Sequence, residues 1–288
     1  MKIAVVTDST AYLSNDEVAA NNIKVVPIPV IIDGKSYQEG IDITTSEFYE
    51  KLKSSKSFPS TSQPPLGEMI NLYEGLAKEG FDTVISIHLS STISGFVNSL
   101  KQIANELDDI KIIPYDSQVT VKLMGYLVIE AAKLARQGLN ADVIIDRLNK
   151  LRSTIDNLFI VDDLQNLVRG GRLSNASAFI GSMLKIKPLL TMNTPSHEIE
   201  AFEKVRSTKK ALARVEELFD QALQKTDYPI RAIIIHANDE PAAMKWREKL
   251  SAKYPDIPFE ISYFGPVIGT HLGEKALALA WMRDTSRS

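Results

Sequence analysis

Cysteine is absent from this 288-residue chain, which excludes a disulfide framework, a thiolate nucleophile and a cysteine-based zinc site. Histidine is scarce, with 4 residues, and no His, Asp or Glu spacing marks a metal site. No run approaches the ~20 apolar residues that cross a bilayer, so no stable membrane insertion is expected. The opening Met1-Lys2-Ile3-Ala4-Val5-Val6 is interrupted by Thr7 and Asp8, too early for the ~7 apolar residues of a signal-peptide core. It reads as a first buried strand, and the expected location is the cytoplasm. A large charge excess is also missing: 33 Lys and Arg stand against 36 Asp and Glu, a formal net charge of -3. That balance gives no whole-chain reason to expect nucleic acid. Neither GxxxxGK[ST] nor a GxGxxG after the first strand is present, and no G-x-S-x-G elbow supports a serine hydrolase.

What the chain does have is the 44% hydrophobic and 24% charged content of a globular protein, with length enough for two cores. Residues 2–6 form a β-branched run closed by Thr7-Asp8-Ser9-Thr10. Residues 25–32 form a second, made irregular by Pro27 and Pro29, before an Asp33-Gly34 turn. Thr44 with Glu47 predicts a capped helix to about Lys53, and residues 66–80 another, with Pro64 and Pro65 in its first turn. Strands at 83–89 and 110–114 alternate with helices at 93–107, 119–137 and 141–155. This is the pattern of a mostly parallel sheet covered on both faces. From Asp156 the pattern changes. Strands at 158–161, 188–192, 198–205, 231–236 and 259–263 mix with helices at 164–168, 176–185, 208–225 and 242–253, and a turn at 191–197 makes a hairpin. The expectation is an α/β protein with an N-terminal mostly parallel domain, 1–155, and a C-terminal α+β domain, 156–284.

Two loops concentrate hydroxyls: Thr61-Ser62-Gln63-Pro64-Pro65 and Ser90-Ser91-Thr92-Ile93-Ser94-Gly95. Each is expected to run directly into a helix, so that two helix N-termini make an anion site without a buried cation. Simple helix capping by Thr61 and Ser94 is the competing reading. The second loop follows a strand C-terminus, where open α/β sheets hold ligands, and Asp8-Ser9-Thr10 follows another. Asp8, His88, His236 and His271 are the side chains from which a hydrolytic triad would have to be drawn. Arg169-Gly170-Gly171-Arg172 is either a phosphate clamp or a helix-ending turn with solvated arginines. Lys185, Lys187, Lys204, Arg206, Lys209 and Lys210 form either a solvated face or a dock for an acidic partner.

Taken together, these pieces resemble the DegV family, fatty-acid-binding proteins that serve as lipid-carrying subunits of bacterial fatty acid kinase. The resemblance runs over nearly the whole chain. It rests on Asp8-Ser9, Thr61-Ser62-Gln63-Pro64, Ser90-Ser91 through Ser94-Gly95, and Arg169-Gly170-Gly171-Arg172-Leu173-Ser174. It continues with Ile186-Lys187-Pro188, Lys204-Val205-Arg206 with Lys209-Lys210, and Gly265-Pro266 through Gly269-Thr270-His271. One departure follows the histidine, where Gly273-Glu274-Lys275 replaces the family's frequent Gly-Pro-Gly.

The resemblance implies that a long-chain fatty acid such as palmitate is buried between the two domains, with no cofactor. The carboxylate site falls on Thr61 and Ser94, with Ser62, Gly95 and His271 near the head group. Arg169, Arg172, Lys204 and Arg206 match a surface that meets the kinase, and the second domain covers the acyl chain. The ATP-dependent kinase, not this chain, would make the acyl phosphate that feeds lipid metabolism. This chain would be a non-catalytic carrier. The alternative is a small-molecule α/β enzyme, a serine esterase or a phosphotransferase. Phe96 and Phe264 are expected near the acyl chain.

Overall fold

A computed structural model describes residues 2–179 and 186–287. Contacts divide the chain into two units, one of Met1–Thr44 and Ser55–Ser153, the other of Thr45–Ser54 and Thr154–Ser288.

The first unit is built on a four-stranded parallel sheet of order β2-β1-β6-β7. Its strands are β1 (Ile3–Asp8), β2 (Ile23–Val26), β6 (Thr83–His88) and β7 (Lys111–Asp116). Helices α1 (Asn15–Asn21), α3 (Leu66–Lys78), α4 (Phe96–Ile103), α5 (Val121–Arg136) and α6 (Ala141–Arg152) accompany it. β1 and β6 are buried on both sides, as central parallel strands are, although Thr7, Asp8, Thr83, Ser86 and His88 interrupt their apolar residues. The run at 25–32 is not one strand. Proline lacks the N–H a ladder needs, and β2 ends at Val26, before Pro27. β3 (Pro29–Ile32) starts in a separate antiparallel sheet of order β4-β3-β5, with β4 (Lys35–Gln38) and β5 (Ser60–Thr61). Asp33 and Gly34 close the β3–β4 hairpin, pairing Ile32 with Lys35.

The second unit holds a six-stranded sheet of order β10-β9-β8-β13-β11-β12. It comprises β8 (Asp156–Ile160), β9 (Lys187–Thr191), β10 (Glu200–Val205), β11 (Ile230–His236), β12 (Phe259–Tyr263) and β13 (Leu277–Arg283). Only β11 and β12 run parallel; the other neighbours are antiparallel. The helices are α2 (Thr45–Ser54), α7 (Gln165–Arg169), α8 (Thr208–Leu223), α9 (Glu240–Lys253) and α10 (Pro266–Leu272). The core gathers Phe219, Trp246, Leu250, Leu279 and Trp281, with Phe219 and Trp281 edge to face at 5.0 Å.

A single cut near Asp156 would leave Thr45–Ser54 with the first half of the chain, whereas its contacts lie with the second unit. The reason is α10. Phe48 and Tyr49 of α2 are fully buried, the Tyr49 hydroxyl donates to the Phe264 carbonyl at 2.8 Å, and Gly269 lets the helices touch. A Cβ on Gly269 would lie 2.6 Å from the Tyr49 hydroxyl and 2.9 Å from the Phe48 ring. The helix expected over 176–185 begins as one 3-10 turn, Ala176–Phe179. Residues 180–185, Lys185 among them, lie outside the described residues.

Candidate functional site

The two hydroxyl loops both lie in the first unit, and they differ from the expected pair of helix N-termini. Thr61 does not open a helix. It is the last residue of β5, paired with Val30, and residues 62–65 separate it from α3. Pro65 holds the N-cap position with an extended ψ of 128°, so both prolines precede the helix rather than fill its first turn. Proline biases the residue before it toward extended backbone, and a Pro64-Pro65 pair delays the helical turn. Ser94 does stand at a helix start, directly before the N-cap Gly95 of α4, and its Oγ accepts from the Phe96 amide at 3.3 Å.

Thr61 and Ser94 are half-buried, while Ser62 and Gly95 are exposed. The Ser62 amide donates to the Pro29 carbonyl at 3.1 Å, anchoring the first loop to β3. Two groups pin the second loop at the C-terminal edge of the parallel sheet. Ser90 donates its amide to Val119 O at 2.8 Å, and the Ser91 amide reaches Asp116 Oδ1 at 3.2 Å. The Ser91 hydroxyl bonds the other Asp116 oxygen. The Gln63 side chain ties the first loop to α4, the helix that the second loop enters. Gln63 Oε1 accepts from Ser99 Oγ of α4 at 3.1 Å, and lies 4.0 Å from where a Cβ on Gly95 would stand. The two segments are therefore neighbours, and neither carries a Lys or Arg.

Beneath the second loop lies a buried polar chain that periodicity did not indicate. Tyr73 and Ser86 hydroxyls meet at 2.8 Å, Ser86 Oγ meets His88 Nε2 at 2.7 Å, and His88 Nδ1 meets Asp8 Oδ2 at 3.0 Å. All four side chains are fully out of solvent. Burial pushes the Tyr73 phenol up to about 12. Of the histidines considered for a triad, the structure joins only His88 to Asp8. Serine, histidine and aspartate have hydrolase spacing here, but Ser86 is 0% exposed and also bonds Tyr73. An ester carbonyl has no approach to it. Ser94 Oγ accepts from a backbone amide. The signal for this chain was positional: Asp8 and His88 end neighbouring strands β1 and β6.

In the second unit His271 lies in the last turn of α10, against the Arg-Gly-Gly-Arg turn that ends α7. A Cβ on Gly170 would fall 2.7 Å from His271 Nδ1, so the absent side chain makes room for the ring. Burial, and then the nearby Arg172 guanidinium, lower the imidazole to about 4. His271 is therefore a neutral hydrogen-bonding ring at ordinary pH. Arg172 turns back to donate to the Gly170 carbonyl, while Arg169 bonds Gln165 Oε1 at 2.9 Å. These are the contacts of a helix-ending turn. Lys204 on β10 and Arg206 just beyond it are exposed, as are Lys209 and Lys210 in the first turn of α8. Lys187 on β9 pairs with Asp162. The segment after Arg172 covers the edge strand β10: Asn175 donates to Ala201 O at 2.8 Å and accepts from its amide at 3.2 Å. Lys204 reaches the same segment at Ala178 O, 3.1 Å away.

Among the described residues no cluster of His, Asp and Glu would hold a metal, and no helix is long and apolar enough to cross a membrane. Comparison with known proteins gives a consistent picture. A DegV domain-containing protein of Listeria monocytogenes is 48% identical over 280 residues, covering 97% of this chain and 98% of that one. The crystal structure of Bacillus subtilis DegV, a fatty acid binding protein, superposes with a TM-score of 0.89 at 45% identity, over 99% of this chain and 100% of that one. A fatty acid binding DegV family protein of Streptococcus agalactiae gives 0.92 at 38% identity, over the same shares. The family model described as "Uncharacterised protein, DegV family" matches residues 2–284, and this chain belongs to the DegV family.

Proposed function

We propose that this protein binds a long-chain fatty acid and presents its carboxylate to a separate ATP-dependent kinase. The observation that carries the reading is the pairing of two uncharged hydroxyl segments, at 61–63 and 90–99, through the Gln63–Ser99 hydrogen bond. Thr61 and Ser94 hold the carboxylate in this reading, with Ser62 and Gly95 beside them. His271, in the second unit, has a ring that carries no charge to trap an anion, and its head-group role rests on the resemblance. The fatty-acid-binding relatives support the ligand class.

The energetics suit a carrier. Burying an acyl chain contributes ~0.8 kcal/mol per methylene, on the order of 10 kcal/mol for a long chain before ordering costs. The tail then supplies most of the affinity, and the head-group hydroxyls, at about 0.5–1.5 kcal/mol per hydrogen bond, add to it and orient the carboxylate. Neutral hydroxyls leave a carboxylate oxygen nucleophilic, where a bidentate arginine would hold it and blunt it. That oxygen attacks the terminal phosphorus of ATP on the kinase, the bond to ADP breaks, and acyl phosphate forms. No group of this chain makes or breaks a bond, so it acts as a non-catalytic subunit. Arg169, Arg172, Lys204 and Arg206 form the docking surface for the kinase.

Thr61→Ala with Ser94→Ala should weaken fatty-acid retention and kinase-dependent phosphorylation together. Both unchanged would refute the head-group assignment. Arg206→Glu should lower phosphorylation and leave the bound lipid in place; equal phosphorylation would remove Arg206 from the docking surface.

A further inference from the structure

The buried carboxylate of Asp8 is not needed for any step above, yet it is bonded at every point an acid can use. Oδ1 accepts from the Thr10 amide at 3.0 Å and from the Thr10 hydroxyl at 2.6 Å. Oδ2 accepts from the Leu89 amide at 3.1 Å and contacts His88 Nδ1 at 3.0 Å. Two of these donors are backbone amides, one on each oxygen, and amides cannot reverse. With the carboxylate ionised and the ring neutral, both oxygens accept, the imidazole proton that faces Oδ2 sits on Nδ1, and Nε2 accepts from Ser86.

Two contacts lead from this pair to the loop that holds Ser94. Leu89 is the residue between β6 and the loop, and its amide is fixed by Asp8. The His88 ring meets the Phe96 ring edge to face at 4.6 Å, and the Phe96 amide donates to Ser94 Oγ. Asp8 thus grips the entrance of the loop directly and its exit through His88 and Phe96.

We propose that Asp8, acting through His88, is a positioning residue for the Ser94 hydroxyl at the fatty-acid head group. The inference rests on the reading of Ser94 given above. Asp8→Asn is the informative change because it keeps the shape and removes one acceptor. With the amide NH2 facing Oδ2's partners, the Leu89 N–H loses its acceptor. His88 must then accept at Nδ1 and donate from Nε2, a tautomer exchange that nitrogen NMR reads directly. Tyr73→Phe is the control: it deletes a buried hydroxyl at the far end of the same chain without touching the loop.

The test compares wild type, Asp8→Asn and Tyr73→Phe, each loaded with palmitate. Dissociation is followed by transfer to lipid vesicles, with thermal unfolding recorded in parallel. Asp8→Asn should release palmitate faster, by up to about tenfold, and show the exchanged His88 tautomer. Tyr73→Phe should lose stability and keep the wild-type release rate. Equal release from wild type and Asp8→Asn, or an equal increase in both variants, would overturn the proposal. Should Asp8→Asn not fold, hydrogen exchange on the lipid-free wild type decides. The Leu89 amide should then exchange as slowly as the β6 amides; exchange at the speed of an open loop would overturn it. A wild type that takes up no palmitate would instead refute the fatty-acid reading itself.

Discussion

His271 shows how much of a site's behaviour is set by one side chain's surroundings. The sequence offered a histidine after Gly-Thr; nothing in its spacing indicated burial against Arg172 and the bare Cα of Gly170. With the folded pKa lowered to about 4 from the ordinary 6.5, the unfolded chain binds the proton first as pH falls. The stability contributed by the neutral ring is complete above pH 6.5 and drains away as pH falls toward 4. His271→Gln should therefore flatten the stability profile across that window in chemical denaturation; an unchanged slope would locate the titration elsewhere. Gly170→Ala belongs to the same contact. Its Cβ must displace the ring, and a loss of about 1–3 kcal/mol is expected in the same measurement. Ser94 was legible as a hydroxyl before a helix, whereas Thr61 ends the strand β5. The Asp8–His88 pairing was not legible, because partners 80 residues apart leave no local pattern.

Elements were legible where one local force dominates. The β-branched runs of β1, β6 and β11 are buried central strands, and the amphipathic stripes of α3 and α8 appear as helices. β13 was not expected, although it lies between β8 and β11 at the middle of its sheet. Its Leu-Ala-Leu-Ala-Trp-Met sequence has modest strand preference, and pairing on both sides overrides propensity there. Trp281→Ala should cost about 3–5 kcal/mol, since the ring packs on Phe219 in the core. α10 has a start signal in the sequence, a proline in its first turn. Gly269→Ala should destabilise by about 1–3 kcal/mol through the clash with Phe48 and Tyr49, as thermal unfolding would report. The edge strand β10 is protected by Asn175, which copies a strand's donor and acceptor toward Ala201. No periodicity encodes that role.

For the molecule as a whole, alternation of strands and helices announced a parallel sheet, and the change of pattern after residue 155 announced a different second sheet. Composition has no means of showing that Thr45–Ser54 belongs with residues far along the chain. Phe48→Ala should accordingly speed hydrogen exchange in α10 while leaving β1 and β6 protected; the reverse pattern would contradict the grouping. The near-neutral total charge likewise conceals a local excess, with Lys204, Arg206, Lys209 and Lys210 exposed close together in sequence. An acidic partner would meet those residues with an ionic-strength dependence that the net charge of -3 does not suggest.

The most direct measurement is native mass spectrometry of the protein purified without added lipid and then offered palmitate. One long-chain fatty acid per chain, present from the start or taken up on addition, is the predicted result. A chain that stays at its bare mass through both steps would contradict fatty-acid binding, and with it the carrier.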